Sequence, residues 1–303
     1  MLIGAHVSTS GGLPKAVERG VELDCDAIQI FNQSPRMWRP TVYRDEDVKA
    51  FRERLAESRV QAVMIHAVYL INCGSEDAEI RKKSLTSLTH SLRTGQRIGS
   101  CGVVLHAGSA KTGDAKMAIA RAGKTIRAAL DDSEGCELHL EDTAGAGGTL
   151  GRSFAELAEL IEAAGGEQRL GVCLDSCHLL ASGYDIRTRP GMDRVLKEAT
   201  TALGKGRIRS LHLNDSQTPL GSNRDRHANV AEGELGQAGC AAFLSEPSFK
   251  GMPCVLETPG VQRSGPRREE VALARKLLER GTKARKGAKA TGASKTAKAK
   301  RSR

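Results

Sequence analysis

The 303-residue sequence has no apolar run approaching the roughly 18 residues that a membrane span requires. Its first residues, Met1-Leu-Ile-Gly-Ala-His-Val7, carry neither the basic segment nor the long apolar stretch of an export signal. They read as a first strand, which predicts a cytoplasmic protein with no membrane partner. None of the eight cysteines belongs to a Cys-x-x-Cys pair. Scattered through apolar and helical settings, they predict reduced thiols rather than a disulfide framework. The Gly-rich stretch at residues 144–151 lacks Gly-x-Gly-x-x-Gly spacing and follows the wrong strand for a dinucleotide site. There is no Walker loop, and no Ser–His–Asp arrangement stands out.

Acids are missing from one place in particular. Residues 283–303 hold nine Lys or Arg and no Asp or Glu, so they carry nearly all of the formal net charge of +10. With almost nothing apolar to bury, residues 281–303 are expected to form a disordered basic tail. Such an arm suits sequence-independent, salt-sensitive attraction to nucleic acid.

What is present instead is a repeated pattern. Val63-Met-Ile-His66, Val103-Val-Leu-His106, Leu138-His-Leu-Glu141, Leu170-Gly-Val-Cys-Leu-Asp175, Leu211-His-Leu-Asn-Asp215 and Cys254-Val-Leu-Glu257 are short apolar runs ending in or beside a His or an acid. Runs of this kind read as strands buried on both faces, as in a parallel sheet. With Ile3–Val7 and Ala27–Phe31 they make eight strands, separated by helical stretches near residues 45–58, 75–98, 115–130, 154–164, 193–202 and 267–280. Eight β–α units over residues 1–280, without a break in composition, predict one (β/α)8 barrel domain. The polar strand ends would then converge on the carboxyl face, where such barrels carry their sites. An open doubly wound sheet would spread them along an edge.

The converging set is His66, His106, Glu141, Asp175, His178, His212 and Glu257, joined by Asp225 and His227 from the loop after the seventh strand. Four carboxylates buried together would repel one another and be strongly desolvated. Divalent cations relieve this, and mixed imidazole–carboxylate donors favour zinc or manganese over magnesium. Nine donors with bridging carboxylates would satisfy about three ions and leave positions open to water and substrate. A site of that kind suits phosphodiester hydrolysis by a metal-bound hydroxide attacking in line. A lone Asp175 would read as a helix cap, and a lone His as a packed core residue; nine together do not. Cys173 and Cys177 flank Asp175 but rank below the carboxylates and imidazoles as ligands. Of the remaining histidines, His6 is placed behind the ligands, His90 on a helix, and His139 outside the barrel lumen.

Several stretches together resemble the endonuclease IV family of zinc-dependent abasic-site (AP) endonucleases, in register from Leu2 to about Arg280. They are Ile3-Gly-Ala-His-Val-Ser8, Tyr69-Leu-Ile-Asn72, His106-Ala-Gly-Ser109, Glu141-Asp-Thr-Ala-Gly145, Gly171-Val-Cys-Leu-Asp-Ser-Cys-His178, His212-Leu-Asn-Asp215, Gly221-Ser-Asn-Arg-Asp-Arg-His227 and Leu256-Glu-Thr258. The resemblance implies a DNA-repair enzyme that cuts duplex DNA 5′ to abasic sites, leaves a 3′-hydroxyl and clears blocked 3′ ends. It implies three zinc ions per chain, with manganese admissible at one site. The first would sit on His66, His106 and Glu141, and the second on Glu141, Asp175, His212 and Glu257. His178, Asp225 and His227 would hold the third. Glu141 and Glu257 take the catalytic roles. Arg36, Tyr69 and Leu70 would bind DNA by filling the gap left by a flipped abasic nucleotide, a task that fits an Arg and two bulky side chains. A monomer suffices, associated with the nucleoid when acting on DNA.

Asp142 and Ser176 depart from the family, which often has Asn and Thr there; they bear on tuning rather than on activity. The competing function is a metal-dependent sugar isomerase or epimerase on a similar barrel, for which nine donors are a surplus. A basic DNA-coating protein would leave the donors unexplained.

Overall fold

The computed structural model describes residues 1–301, with side chains to Gly287. From the amino terminus, the elements are β1 (Leu2–His6), α1 (Leu13–Glu22), β2 (Ala27–Phe31), α2 (Asp45–Ala56), β3 (Ala62–His66), α3 (Ala78–Ile98) and β4 (Gly102–Leu105). Next come α4 (Ala115–Asp131), β5 (Leu138–Glu141), α5 (Phe154–Ala163), β6 (Leu170–Asp175), α6 (Ser176–Ala181), α7 (Arg189–Leu203) and β7 (Ile208–His212). A two-strand hairpin, β8 (Asp215–Ser216) and β9 (His227–Ala228), precedes α8 (Gly236–Leu244), β10 (Pro253–Leu256) and α9 (Arg268–Arg301). Strands β1–β7 and β10 close into a parallel barrel in the order β1-β10-β7-β6-β5-β4-β3-β2. This is the expected TIM barrel.

Strand alternation divides the interior into two cores. Ile28, Ile30, Val63, Ile65, Val103, Leu105, Leu138, Leu140, Leu174 and Leu211 face outward and pack beneath the helices. Ala27, Met64, Val104, Cys173 and Val255 form a separate cluster that fills the lumen. Because both faces are buried, each strand reads as an apolar run rather than as an alternation. The helices start where short polar side chains cap them: Asp77 accepts from the Glu79 and Ile80 amides at 2.8 and 3.3 Å, and Asp114, Ser153 and Thr188 cap α4, α5 and α7.

Three elements lie outside the sequence expectation: α6, α8 and the β8–β9 hairpin. The barrel also continues past Arg280. In α9, Gly281 is buried, and Arg285 bonds Asp193 at 2.9 Å and Glu246 at 3.0 Å, leaving its side chain 14% exposed. Gly281 and Arg285 therefore pack on the barrel, while Lys283, Ala284, Lys286 and Gly287 are exposed. The remainder of the expected tail lies outside the fully described residues. Among the described residues no helix is long and apolar enough to cross a membrane.

His139 corrects a sequence expectation. It lies two residues before Glu141 on β5 and so shares its face, pointing into the lumen and not away from it. It is buried, and a Cβ on Gly102 of the neighbouring strand would stand 2.4 Å from its ring. Glycine at 102 leaves the room that the imidazole occupies.

Candidate metal centre

The carboxyl ends of β3 to β7 and β10 bring the polar strand ends to one rim. His66, Glu141, Asp175 and His212 are the last residues of β3, β5, β6 and β7; His106 and Glu257 directly follow β4 and β10. His178 stands in the first turn of α6, while Asp225 and His227 come from the hairpin. Their donor atoms fall into three groups, each with all atoms within 4.8 Å of one another: His66–His106–Glu141, Glu141–Asp175–His212–Glu257 and His178–Asp225–His227.

Glu141 is the hub. Its Oε2 lies 3.2 Å from His66 Nε2 and 2.9 Å from His106 Nε2. Its Oε1 lies 3.0 Å from His212 Nδ1 and 3.4 Å from His178 Nδ1. His212 Nδ1 is also 3.3 Å from Glu257 Oε2 and 3.8 Å from Asp175 Oδ2. In the third group Asp225 reaches His178 Nε2 at 3.2 Å and His227 Nε2 at 3.1 Å.

Asp175 does two jobs with two oxygens. Its Oδ1 caps α6 by accepting from the Cys177 and His178 amides at 2.6 and 3.0 Å, which holds His178 in place. Its Oδ2 accepts from Asn214 Nδ2 at 2.6 Å and faces His212 and His227. Helix cap and candidate ligand are thus the same residue.

The ring nitrogens turned away from the centre are mostly fixed by backbone. His66 Nδ1 donates to the Ala67 carbonyl at 2.7 Å, and His178 Nδ1 to the Asp142 carbonyl at 2.8 Å. His227 Nδ1 lies 3.3 Å from the Glu257 carbonyl. With Nδ1 so engaged, the buried Nε2 atoms of His178 and of His227 stand 3.2 and 3.1 Å from the Asp225 carboxylate without a well-directed hydrogen bond to it. Imidazole nitrogens and a carboxylate converging in this way are what a cation between them would satisfy.

The charge balance leads to the same conclusion. Glu141, Asp175 and His212 are fully buried, and among the described residues no Lys or Arg pairs with any of the four carboxylates. An uncompensated buried carboxylate costs several kcal/mol. Without an ion, protons are the only counter-charge. Burial alone would raise the Glu141 carboxyl, but the His106 and His212 charges bring it well below its usual range. Burial would lower His212 and His178, yet Cys173, Glu257 and Glu141 raise the first and Asp175, Asp225 and Glu141 the second. For His227 burial likewise opposes the rise, and Asp225 and Asp175 carry it to about 9. The residues present therefore fit divalent cations. Cys177 also comes within reach, together with Asp175 and His227, but burial pushes its thiol up to about 12.

The predicted DNA-contacting residues are less concentrated. Tyr69 is 59% exposed above the centre, its ring 5.2 Å from that of His66 and 6.0 Å from that of His106. Leu70 is half-buried and packs on the core. Arg36 stands exposed on the loop between β2 and α2.

Asp142 and Ser176, the two departures from the family pattern, bond to Asp175 and to its partner Asn214. Asp142 Oδ1 accepts from the Asp175 amide at 2.6 Å while its Oδ2 is buried without a partner, and burial drives the carboxyl well above its ordinary range. Ser176 Oγ donates to the Asn214 carbonyl at 2.7 Å and accepts from its amide at 2.9 Å, clasping α6 to the end of β7. Sequence reasoning missed Asn214 and Gln29. Gln29 is a single polar residue inside the run Ala27-Ile-Gln-Ile-Phe31, on the lumen face of β2, and that position was the available signal.

A family model described as a xylose isomerase-like TIM barrel matches residues 17–281. A probable endonuclease 4 from Geobacter sp. strain M21 is 39% identical over 281 residues, covering 91% of this chain and 97% of its own. The crystal structure of endonuclease IV from Thermus thermophilus superposes with a TM-score of 0.80 at 36% identity, covering 92% of this chain and 100% of that one. A D-tagatose 3-epimerase-like protein, 17% identical with a TM-score of 0.67 and covering 93% and 97%, shares the fold.

Proposed function

This chain belongs to the endonuclease IV family, and we propose that it hydrolyses the phosphodiester 5′ to abasic sites in duplex DNA, leaving a 3′-hydroxyl, and clears blocked 3′ ends. The observation that carries the reading is the cluster of four carboxylates and five imidazoles in three groups, with no Lys or Arg among the described residues to balance it. The reading assigns three zinc ions, one to each group in the partition given above, with manganese admissible at one. When bound, they supply Lewis-acid stabilisation of the phosphodiester and lower the pKa of water toward neutrality.

The protein's own work is to hold and orient. Glu141 offers Oε2 to one group and Oε1 to the next, fixing their separation. Asp175 has one oxygen committed to capping α6, so only Oδ2 is turned to the centre. Glu141 and Glu257 flank His212 Nδ1 at 3.0 and 3.3 Å, and we assign them the catalytic roles of bridging and of orienting the attacking water. Tyr69, Leu70 and Arg36 would enter the gap in the base stack, holding the abasic nucleotide away from the helix axis. A monomer is sufficient for this.

The test uses purified protein without added magnesium and a duplex carrying one tetrahydrofuran abasic analogue, with and without 1,10-phenanthroline. The analogue cannot undergo β-elimination, so a cut 5′ to it is hydrolysis. Incision that prolonged chelation removes and zinc restores is the expected result. A folded, zinc-loaded protein that leaves the duplex intact overturns the proposal, and sugars become the substrates to try, in line with the epimerase-like fold neighbour.

A further inference from the structure

The orientation of one histidine needs an explanation that the ligand set does not provide. His66, His106 and His227 meet their acids through Nε2, and His178 meets Asp225 through Nε2 while its Nδ1, 3.4 Å from Glu141 Oε1, donates to the Asp142 carbonyl. His212 is turned the other way. Its Nδ1 faces Glu141 and Glu257, and its Nε2 lies 2.9 Å from Gln29 Oε1. Gln29 is fully buried at the middle of β2, a strand that supplies none of the nine donors. Its Nε2 donates to Glu257 Oε1 at 2.6 Å and lies 3.2 Å from His6 Nδ1.

These contacts fix the amide. Rotated by half a turn, its oxygen would face the Glu257 carboxylate at 2.6 Å, acceptor against acceptor, and its NH2 would face the His212 nitrogen. In the observed orientation the amide oxygen can only accept, so His212 must carry its proton on Nε2 and keep the Nδ1 lone pair free. The amide nitrogen occupies Glu257 Oε1, which leaves Oε2, 3.3 Å from His212 Nδ1, as the oxygen turned inward. An apolar side chain could do neither job, and a carboxylate could accept but not donate.

We propose that Gln29 is a positioning residue for the central group, fixing the His212 tautomer and aiming Glu257 through one amide. This inference rests on the zinc reading above. Partners of this kind, behind a metal ligand, are generally worth about 10- to 100-fold in metal affinity. None of Gln29's hydrogen bonds reaches the other two groups, so the effect falls on one ion of the three.

The experiment compares wild type with Q29M, which keeps most of the volume but neither accepts nor donates, and with Q29A. Zinc is titrated into metal-free protein against a chromophoric competitor, and melting of the metal-free proteins is followed in parallel. Wild type is expected to take up three equivalents. Q29M is expected to bind two as wild type does and the third about 10- to 100-fold more weakly, at a metal-free melting temperature near wild type. Three equivalents bound at wild-type affinity, or a loss spread evenly over all three, overturns the proposal. A second readout serves should both variants fail to fold. Long-range ¹H–¹⁵N spectra of metal-free wild type, at a pH where the imidazoles are neutral, should show His212 as the Nε2–H tautomer; the Nδ1–H form overturns the proposal. Wild type that takes up no zinc would defeat the reading of the metal centre instead, while the tautomer would still report on Gln29.

Discussion

Glu137, directly before β5, is followed at two-residue spacing by His139 and Glu141 on the strand, and the two ends of this row behave in opposite ways. At the lower end, Glu137 accepts from Arg209 Nη1 at 2.8 Å and from His139 Nε2 at 3.2 Å. His139 Nδ1 lies 2.9 Å from the Ser210 hydroxyl, which donates to it. Arg209 reaches this point because the β6–β7 pairing skips a residue: Val172 pairs Ile208 and Cys173 pairs Ser210. Burial holds His139 below its ordinary pKa, so it is neutral near pH 7, and its hydrogen bond keeps the Glu137 carboxyl below the usual range. Every group there has a partner and the charges cancel. At the upper end, among the described residues, the same residue types meet no Arg, and Nε2 of His178 and of His227 makes no directed hydrogen bond. His and Glu in a barrel lumen therefore do not by themselves make a candidate metal site; the missing counter-charge is what sets the upper end apart.

The comparison can be broken at either end, and the largest effect is expected at the top. Glu141→Gln removes the oxygen pair shared by two groups; incision of the abasic duplex should fall at least ~10²–10³-fold, the usual loss on deleting one group that stabilises transition-state charge. Circular dichroism should show the fold retained. Full activity in this variant would remove the distinction between the two ends. Arg209→Met makes the lower end resemble the upper one by stripping its counter-charge. Because Arg209 is about one-third exposed, the loss in urea-unfolding stability should be only about 1–2 kcal/mol. Incision by the folded fraction should be unchanged; new zinc uptake at the lower end would sharpen the counter-charge argument considerably.

Tyr69→Ala leaves both ends intact and touches only the rim. Lesion affinity should fall roughly tenfold, the scale of one lost stacking contact, with zinc content unchanged. An equal loss of affinity for intact duplex would remove Tyr69 from lesion recognition. The smallest effect belongs to the tail. Ending the chain after Gly287 removes six Lys or Arg, so the salt dependence of duplex binding should become shallower while incision of bound lesion stays the same.

Much of this arrangement is legible in the sequence. Parallel strands buried on both faces leave apolar runs, and a polar residue closing each run marks the carboxyl rim, so His66, Glu141 and Asp175 were found with their strands. What stayed hidden lacked a periodic signal. Helix α8 is apolar on nearly every side because α9 covers it, so Gly236–Leu244 shows no helical stripe. Helix α6 is six residues long, too short for a period, and begins at the Asp that had already been counted as a strand end. His139 was misplaced although the two-residue spacing to Glu141 put both on one face. Gln29 was passed over because one polar residue in an apolar strand has no partner in sequence; His212 lies 183 positions away. Arg285 and the docked start of the expected tail were invisible to composition, since their partners Asp193 and Glu246 are contributed by other elements.

The hairpin that carries Asp225 gives the centre a preferred point of exit. Asp225 is 45% exposed, whereas Glu141 is wholly enclosed. A chelating molecule can grip an ion beside Asp225 without the barrel opening, but an ion behind Glu141 must wait for a larger fluctuation. Extraction should then be staged, one equivalent leaving quickly and the others slowly, so that brief chelation yields a long-lived, partly emptied protein. Release in a single phase would mean that the hairpin does not act as the door.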